Sequence, residues 1–471
     1  MRIPWQPLSF KQFSVVIAAI FIVCLCAFAQ SGKGPIDPGV RAGAPGAGGP
    51  LNGLTTDETA FFKDGLARFA NVEFVTGGAN NGLGPRFNSN QCLSCHSQPR
   101  AGGSSPAQNP LLQVATLNGA KNKIPWFISQ NGPVREPRFK RNADGTNDGG
   151  VHDLFVISGR SDAAGCNISQ PDFNPAGNPV TGQGGNPNII FRIPTPVFGA
   201  GLIESIPDSV ILSNMRADKS LKKALGISGH PNAHLSGNAN RSANDGTITR
   251  FGWKAQNKSL LMFSGEAYNV EMGVTNQLFP QERDETPGCV FNSTPEDTNN
   301  FALTSNPSTA VLSDIEAFSD FMRMLAPPTP APDTPSSVNG RALFIKTGCA
   351  HCHTPSLTTG KMISSGSSKV PSVALSNQTA NLFSDLLVHH MGKGLADGIT
   401  QGGAGPDEFR TAPLWGVGQR VFFLHDGRTS NLINAIKEHK SQGSEANKVI
   451  EHFEMLKIKD RQDIINFLRS L

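Results

Sequence analysis

The motif Cys-x-x-Cys-His occurs twice in this 471-residue chain, at residues 92–96 and 349–353. It is the attachment motif of c-type haem, in which both thiols form thioethers with the haem vinyl groups and the histidine binds the iron. Two zinc or redox motifs are the alternative, but the further Cys or His ligands of a zinc site are missing nearby. We therefore expect two covalently attached haem c groups. Their binding residues are Cys92, Cys95, His96, Cys349, Cys352 and His353.

The first 29 residues are typical of a secretory signal peptide. Arg2 and Lys11 supply positive charge, residues 13–28 are almost entirely apolar, and residues 27–29 read Ala-Phe-Ala, a cleavage motif. We expect cleavage after Ala29 and export to the bacterial periplasm, where haem is attached to such motifs. An uncleaved membrane anchor is the alternative.

Two cysteines, Cys166 and Cys289, lie outside both the motifs and the signal peptide. Export to an oxidising compartment favours a disulfide between them, and two buried free thiols are the alternative. The formal net charge is +4, and loss of the signal peptide, with two basic and no acidic residues, lowers it to +2. This near-neutral balance gives no reason to expect a nucleic-acid partner.

Helical patterns flank both motifs. A helix, the motif, loops and a closing helix are the layout of a small cytochrome c domain, and this layout occurs twice. The predicted helices are 57–74, 313–325, 338–347 and 460–471.

We therefore expect a mainly α fold with two cytochrome c-like domains, the first of which carries long loop insertions. The predicted divisions are the signal peptide at 1–29, a disordered segment at 30–52, the N-terminal domain at 53–325, a Pro-rich linker at 326–337 and the C-terminal domain at 338–471.

A second pair of segments indicates an internal repeat. Residues 192–201 (RIPTPVFGAG) and 410–418 (RTAPLWGVG) both read Pro-x-aromatic-Gly-x-Gly shortly after an arginine. Further along, Trp253 and His425 each precede a leucine by seven residues. Trp253 and His425 therefore occupy equivalent positions in the two halves.

These features resemble the bacterial dihaem cytochrome c peroxidases and, within that superfamily, the di-haem oxidoreductase (thiol oxidoreductase-like) group. Rubber oxygenases are more distant relatives. The matching segments span nearly the whole mature chain and are 82–96, 151–166, 250–255, 269–275, 348–353, 385–398 and 410–439.

The resemblance implies that the second haem transfers electrons. In the dihaem peroxidases its distal ligand is a methionine fourteen residues after the histidine of an His-Asp-Gly motif, and that position is His439 here. We therefore expect His353 and His439 as the two ligands, a pair that lowers the reduction potential relative to His–Met ligation. Met391 is the competing ligand, and His389 and His390 are further options.

The same offset from Trp253 reaches Ala267, whose side chain cannot bind iron. The first haem is therefore expected to have His96 on one side and an open distal position, unless His152 is a ligand. An open position is what a haem needs to activate peroxide or dioxygen.

Glu271 resembles the distal-pocket glutamate of the peroxidases, a general acid–base group; a surface salt bridge is the alternative. Trp253 resembles the tryptophan between the two haems, where it relays electrons or packs the core. The peroxidases have a glutamine ten residues after this tryptophan, whereas this chain has Phe263. The distal pocket is thus more apolar than the family pattern and has room for an organic substrate.

The resemblance implies a peroxidase that receives electrons from a small cytochrome or cupredoxin at the second haem and reduces peroxide at the first. An oxygenase that uses dioxygen on a hydrophobic organic substrate is one alternative, and a non-catalytic electron carrier is another. Arg428 is expected to pair with a haem propionate, and His425 to pack near the interface.

Overall fold

The computed structural model describes residues 34–78, 80–173, 188–233, 247–300, 309–365 and 371–471. Contacts divide the chain into Met1–Ile36 and Asp37–Leu471, and only residues 34–36 of the first unit are described. The predicted signal peptide lies outside the described residues. No helix in the described ranges is long and apolar enough to cross a membrane.

Helices form most of the regular structure of the described residues. The α-helices are α1 (Thr56–Phe69), α2 (Cys92–Cys95), α3 (Leu111–Val114), α4 (Ala200–Glu204), α5 (Asp208–Arg216), α6 (Lys219–Leu225), α7 (Leu260–Met272), α8 (Asp314–Met324), α9 (Pro335–Thr347), α10 (Gly392–Leu395), α11 (Leu432–Lys437), α12 (Asn447–Met455) and α13 (Ile458–Ser470). Short 3-10 turns cover Leu117–Gly119, Thr309–Val311, Cys349–His351 and Val417–Gln419.

The strands are short and pair two by two in antiparallel fashion, as β1–β3, β2–β4, β5–β6, β7–β8 and β9–β10. They are β1 (Arg86–Phe87), β2 (Glu136–Phe139), β3 (Phe155–Val156), β4 (Ile189–Arg192), β5 (Asn232–Ala233), β6 (Ile248–Thr249), β7 (Leu357–Thr358), β8 (Thr379–Ala380), β9 (Val388–His390) and β10 (Glu408–Arg410).

The four predicted helices are present as α1, α8, α9 and α13, with shifted ends. The largest shift is in α1, which spans Thr56–Phe69 rather than residues 57–74. Thr55 accepts a hydrogen bond from the Glu58 backbone N–H, and the Glu58 carboxylate accepts one from the Thr55 N–H. This capping box fixes the start of the helix.

The same helix crossing occurs in both halves, α1 against α8 and α9 against α13. The backbones approach so closely that a Cβ on Gly65 would lie 2.2 Å from the Ala317 carbonyl oxygen. A Cβ on Gly340 would lie 1.9 Å from the Asp463 carbonyl oxygen. Only glycine, which has no Cβ, fits at these positions. The close crossing of the two helices in each half therefore depends on its glycine.

The internal repeat continues beyond the helices. The Gly199 N–H donates to the Leu325 carbonyl just after α8, and the Gly416 N–H donates to the Leu471 carbonyl just after α13, both at 3.1 Å. Ser259 caps α7 and Asn431 caps α11, each six residues after Trp253 or His425. The structure therefore supports the predicted register, in which Ala267 corresponds to His439.

Part of the segment predicted to be disordered is bound instead. The Asp37 carboxylate accepts hydrogen bonds from Arg469 at 2.7 Å, and the Leu51 N–H donates to the Met324 carbonyl at 2.8 Å. The prediction of disorder is wrong for residues 37–52, because backbone and side-chain groups of this Gly- and Pro-rich stretch find partners at the ends of both closing helices.

The linker between the halves is also packed, since the Ala331 N–H donates to the Ser470 carbonyl at 2.7 Å. Residues 37–471 form one compact unit. A disulfide between Cys166 and Cys289 confirms that prediction and joins two loops of the first half.

Candidate haem sites

The first Cys-x-x-Cys-His motif opens onto a cavity of about 1280 Å³, called here the first cavity. Cys92, Cys95 and His96 lie in its wall, together with residues of α7, β2 and β4. The first cavity thus borders both thiols and the histidine, as attachment of a bulky group to the two thiols requires.

The second motif opens onto a separate cavity of about 1410 Å³, called the second cavity. Cys349, Cys352 and His353 lie in its wall, together with side chains of α11, α12 and α13. The structure thus places each set of predicted attachment residues at its own cavity.

The histidines of both motifs are held in the same way. His96 Nδ1 lies 3.1 Å from the Gly103 carbonyl oxygen, and His353 Nδ1 lies 3.0 Å from the Phe383 carbonyl oxygen. These bonds select Nε2 as the atom that would bind iron. Burial lowers the pKa of each imidazole to about 4, so both are neutral, as an axial ligand must be.

Burial disfavours the thiolate form of Cys92, Cys95 and Cys349. Burial raises the pKa of the Cys95 thiol to about 11 and that of the Cys349 thiol to about 12. Zinc requires deprotonated thiols and usually four ligands. In the described part of the first cavity wall, His96 and the two motif cysteines are the only His or Cys residues. At the first cavity the surroundings therefore favour thioether attachment of haem over a zinc site, whereas at the second Cys352 lies with Asp385 and His389 in a group that could also hold a metal ion.

Helix α7 forms one wall of the first cavity and was not predicted. The residues that it presents are spaced at i, i+3 and i+4, the spacing of one helix face. Gly273 ends the helix in a left-handed conformation with φ +69, and a Cβ there would lie 2.6 Å from the Arg86 carbonyl oxygen. The cavity-lining residues of this face are Phe263, Glu266, Ala267, Val270 and Glu271.

Glu271 lies in the first cavity wall, where Asn88 Nδ2 donates to its Oε2 at 2.9 Å. Its pKa is raised well above the usual value, first by burial and then by the negative charge of Glu136. Both effects favour the protonated form of the carboxyl group. The surface salt bridge that was the alternative for Glu271 is not what the structure shows.

His439 lies in the second cavity wall with His353. Its Nδ1 lies 2.7 Å from the Ala435 carbonyl oxygen, which again selects Nε2 as a ligand atom, and burial lowers its pKa. Met391 lines the same cavity. Ala267 lines the first cavity at the position equivalent to His439, so the two cavities differ at this position as the repeat predicts.

The two other predicted ligand options at the second cavity are engaged elsewhere. His389 Nδ1 lies 2.7 Å from a Glu445 carboxylate oxygen, and its Nε2 lies 3.0 Å from an Asp385 carboxylate oxygen. His390 is exposed and its Nδ1 lies 2.9 Å from the Asp407 carboxylate. Neither ring has a nitrogen free for iron in this arrangement.

Trp253 lines both cavities, although only 8% of its surface is exposed. Its Nε1 donates to the Ile193 carbonyl at 2.9 Å. The His425 ring lies edge-on to it at 6.4 Å and stacks on Phe409 at 4.3 Å. Trp253 therefore separates the two cavities, and His425 packs beside it as predicted.

Buried arginines supply positive charge to each cavity. Arg420 lines the second cavity, and its Nε and Nη2 have no hydrogen-bond partner among the described residues. Arg192 lines the first cavity, and its Nε is likewise unpartnered there. Burial lowers the pKa of Arg420 to about 10, so the guanidinium stays charged at neutral pH. Carboxylates are the preferred partners of such groups, and haem propionates are carboxylates.

Two predicted residues lie outside both cavity walls. His152 Nε2 lies 2.8 Å from the Asp148 carboxylate, and its ring packs on Phe139 at 4.2 Å. Arg428 donates to Asp426 at 2.8 Å and to the Gly394 carbonyl at 2.7 Å. The structure therefore does not bring His152, the alternative distal ligand, to the first cavity wall, or Arg428 to the second, because nearby loop acceptors hold both side chains.

Sequence reasoning missed several charged residues of the cavities. Glu136 and Arg138 reach the first cavity from β2, and Glu266 reaches it from α7. Arg192 lines the first cavity and Arg410 the second, and their matched positions in the repeat could have predicted this. No comparable signal marked Glu136, whose cavity position depends on the pairing of β2 with β4.

A family model described as "Di-haem oxidoreductase, putative peroxidase" matches residues 186–471, which is well over half of the chain. The chain belongs to the di-haem oxidoreductase family. This confirms the resemblance inferred from the motifs. The two cavities, with their cysteines, histidines and unpartnered guanidinium atoms, fit the two haem groups that the family name implies.

Among solved structures, this di-haem oxidoreductase is similar to the diheme peroxidase BthA from Burkholderia thailandensis, with 15% identity, 59% of this chain and 86% of that chain covered, and a TM-score of 0.29. A MauG-like protein associated with microbial copper homeostasis gives 17% identity, 65% and 95% coverage, and a TM-score of 0.27. Kuenenia stuttgartiensis hydrazine synthase gives 20% identity and a TM-score of 0.22, with 39% of this chain and 59% of that chain covered. No curated protein sequence matches the chain.

Proposed function

We propose that the protein is an exported, periplasmic dihaem c-type oxidoreductase that reduces peroxide at the first cavity. Electrons are supplied by a small redox protein such as a cytochrome or cupredoxin. The two cavities correspond to two cytochrome c-like domains, residues 53–325 and 338–471, which the linker at 326–337 joins. In this proposal the signal peptide is removed after Ala29.

The observation that carries the proposal is the difference between the cavities at one equivalent position. His439, two residues after α11, lines the second cavity, and Ala267 lines the first cavity at the equivalent position. A cavity with two axial imidazoles suits electron transfer, whereas one with a single imidazole leaves a position for a small oxidant. Haem bound through His96 would supply the electrons that cleave the O–O bond.

Glu271 is the acid–base group of this proposal. Its carboxyl lies in the first cavity wall, where it can receive a proton from one peroxide oxygen and return it to the departing oxygen. General acid–base catalysis of this kind typically contributes about 10²–10⁴-fold. In this proposal Trp253 carries electrons between the two haems, and its position in both cavity walls supports that role.

The first test replaces Glu271 with glutamine. We expect Glu271→Gln to keep its haem content and to lose peroxide turnover by about 10²-fold or more. Unchanged turnover would exclude the acid–base role. The matched control is Glu282→Gln, which changes a partly buried carboxyl outside both cavity walls and should leave turnover intact.

The second test concerns the ligands. Electron paramagnetic resonance of the oxidised protein, followed by carbon monoxide binding after reduction, should show one open and one closed site. His439→Ala should remove a low-spin signal and open the second site. If Met391→Ala does so instead, the ligand is Met391, and two closed sites in the wild type would indicate an electron carrier without catalysis.

An oxygenase acting on a hydrophobic organic substrate is the second candidate. Phe263 lies in the first cavity wall, where it makes the pocket more apolar than a glutamine would. This function predicts consumption of dioxygen without an added electron donor, whereas the peroxidase requires a donor. Measuring oxygen uptake with and without a reduced donor distinguishes the two.

A further inference from the structure

The first cavity contains a second carboxyl group close to Glu271. Glu136 begins β2 and lies in the same cavity wall. The carboxyl groups of Glu136 and Glu271 are within hydrogen-bonding reach of each other. A hydrogen bond between two carboxyl groups requires a proton on one of them.

Other parts of the chain anchor both residues, Glu136 through its side chain and Glu271 through its backbone. Arg138 Nε lies 2.5 Å from Glu136 Oε1, and Arg138 Nη1 donates to the Gly149 carbonyl at 3.0 Å. On the other side, the backbone N–H groups of Asn88 and Ser89 donate to the Glu271 carbonyl oxygen at 2.7 and 3.1 Å. The pair is therefore anchored by a strand on one side and by a helix end on the other.

From this geometry we propose that Glu136 and Glu271 form a carboxyl pair that shares one proton, with Glu136 as a positioning residue that acts through Glu271. This rests on the proposed function, since it assigns a partner to the acid–base group of the same site. It goes beyond that function because no motif of the sequence points to Glu136.

The pair removes a difficulty of a single buried glutamate. A carboxyl that already holds a proton cannot accept one from peroxide, and burial beside Glu136 favours that protonated form of Glu271 by raising its pKa. Two carboxyl groups with one proton between them always include an acceptor and a donor. Like charges close together make the loss of the shared proton unfavourable, as in other carboxyl pairs.

Other charged groups face the pair and affect its titration. Glu266 on α7 lies in the same wall and is hydrogen-bonded to Asn257. Arg192 on β4 stands opposite Glu136 in the strand pairing and is paired with Asp397 at 2.7 Å. With Arg135 and Arg138, the described wall therefore carries three carboxyl groups and three guanidinium groups around one proton.

The test uses infrared difference spectroscopy of the haem-loaded protein between wild type and variants. Glu271→Gln identifies the carbonyl band of the protonated pair. Glu136→Gln removes the neighbouring negative charge, so we expect this band to move and to titrate at a pH lower by about 1 unit or more. The pH profile of kcat/KM for peroxide should shift in the same direction, with a loss of about 10²-fold.

Glu136→Asp keeps a carboxyl group and should restore part of the activity and a shared-proton band. The control Glu282→Gln should remove only its own band and leave the pH profile unchanged. If the band and the pH profile of Glu136→Gln match those of wild type, the pair does not exist. If wild type fails to reduce peroxide while the band still responds to Glu136→Gln, the proposed function fails and the pair stands.

Discussion

Replacing Trp253 with phenylalanine tests whether the residue between the cavities does more than pack. The indole Nε1 donates to the Ile193 carbonyl at 2.9 Å, and Ile193 is only 3% exposed. Phenylalanine leaves that carbonyl unpaired, at a cost of about 1–3 kcal/mol. The smaller ring also leaves unfilled space in the core. We expect Trp253→Phe to lower the free energy of unfolding by about 2–4 kcal/mol.

The assay is denaturant unfolding of the haem-loaded protein, combined with the rate of electron transfer between the haems after rapid reduction. Trp126→Phe is the matched control. Trp126 is 40% exposed and lies outside both cavity walls, and its hydrogen bond to the Phe173 carbonyl is long, at 3.4 Å. It should cost less than about 1 kcal/mol and leave electron transfer unchanged. Equal losses of stability in both variants would refute the packing argument, and an unchanged transfer rate in Trp253→Phe would refute the relay role.

Three further predictions concern the repeat, the helix crossing and a partly buried acid. Ala267→His should place an imidazole in the first cavity at the position equivalent to His439, close the open site and suppress carbon monoxide binding; continued binding would contradict the register. Gly340→Ala should destabilise the protein by about 3 kcal/mol or more, since its Cβ would lie 1.9 Å from the Asp463 carbonyl oxygen, whereas Gly49→Ala meets nothing within 4 Å and should be neutral in thermal unfolding. Burial and three neighbouring acids raise the pKa of Glu282 from 4.5 to about 8. The folded state then binds more protons than the unfolded state between these values, so stability falls as pH rises through this window. Glu282→Gln should flatten that fall in unfolding measured from pH 4 to 9, and an unaltered slope would contradict the argument.

The parts of the structure that sequence reasoning predicted depend on local or repeated patterns. The attachment residues, the capped helices and the equivalence of Ala267 with His439 can all be seen within short segments or by comparing the two halves. The disulfide followed from counting cysteines and from the expected compartment. These features need no knowledge of which distant segments meet.

The parts that it missed depend on tertiary contacts. Helix α7 was overlooked because its apolar residues face both the cavity and the core, so no clear polar face marks it. Glu136 enters the first cavity through strand pairing, and Arg420 through burial beside Trp253. The His152 side chain is suited to binding iron and the Arg428 side chain to pairing with a propionate. Both are hydrogen-bonded to nearby carboxylates instead.

The bound segment at residues 37–52 has a consequence for how the protein opens. It joins the end of α8 through Leu51 and the end of α13 through Asp37, so one strap fastens both closing helices. Neither half can then release its closing helix without detaching the same strap. Amide hydrogen exchange in α8 and α13 should therefore occur with similar free energies of opening, as in a single cooperative unit. A protease cut within the strap would separate these two attachments. The amides of α8 and α13 should then exchange with different free energies of opening.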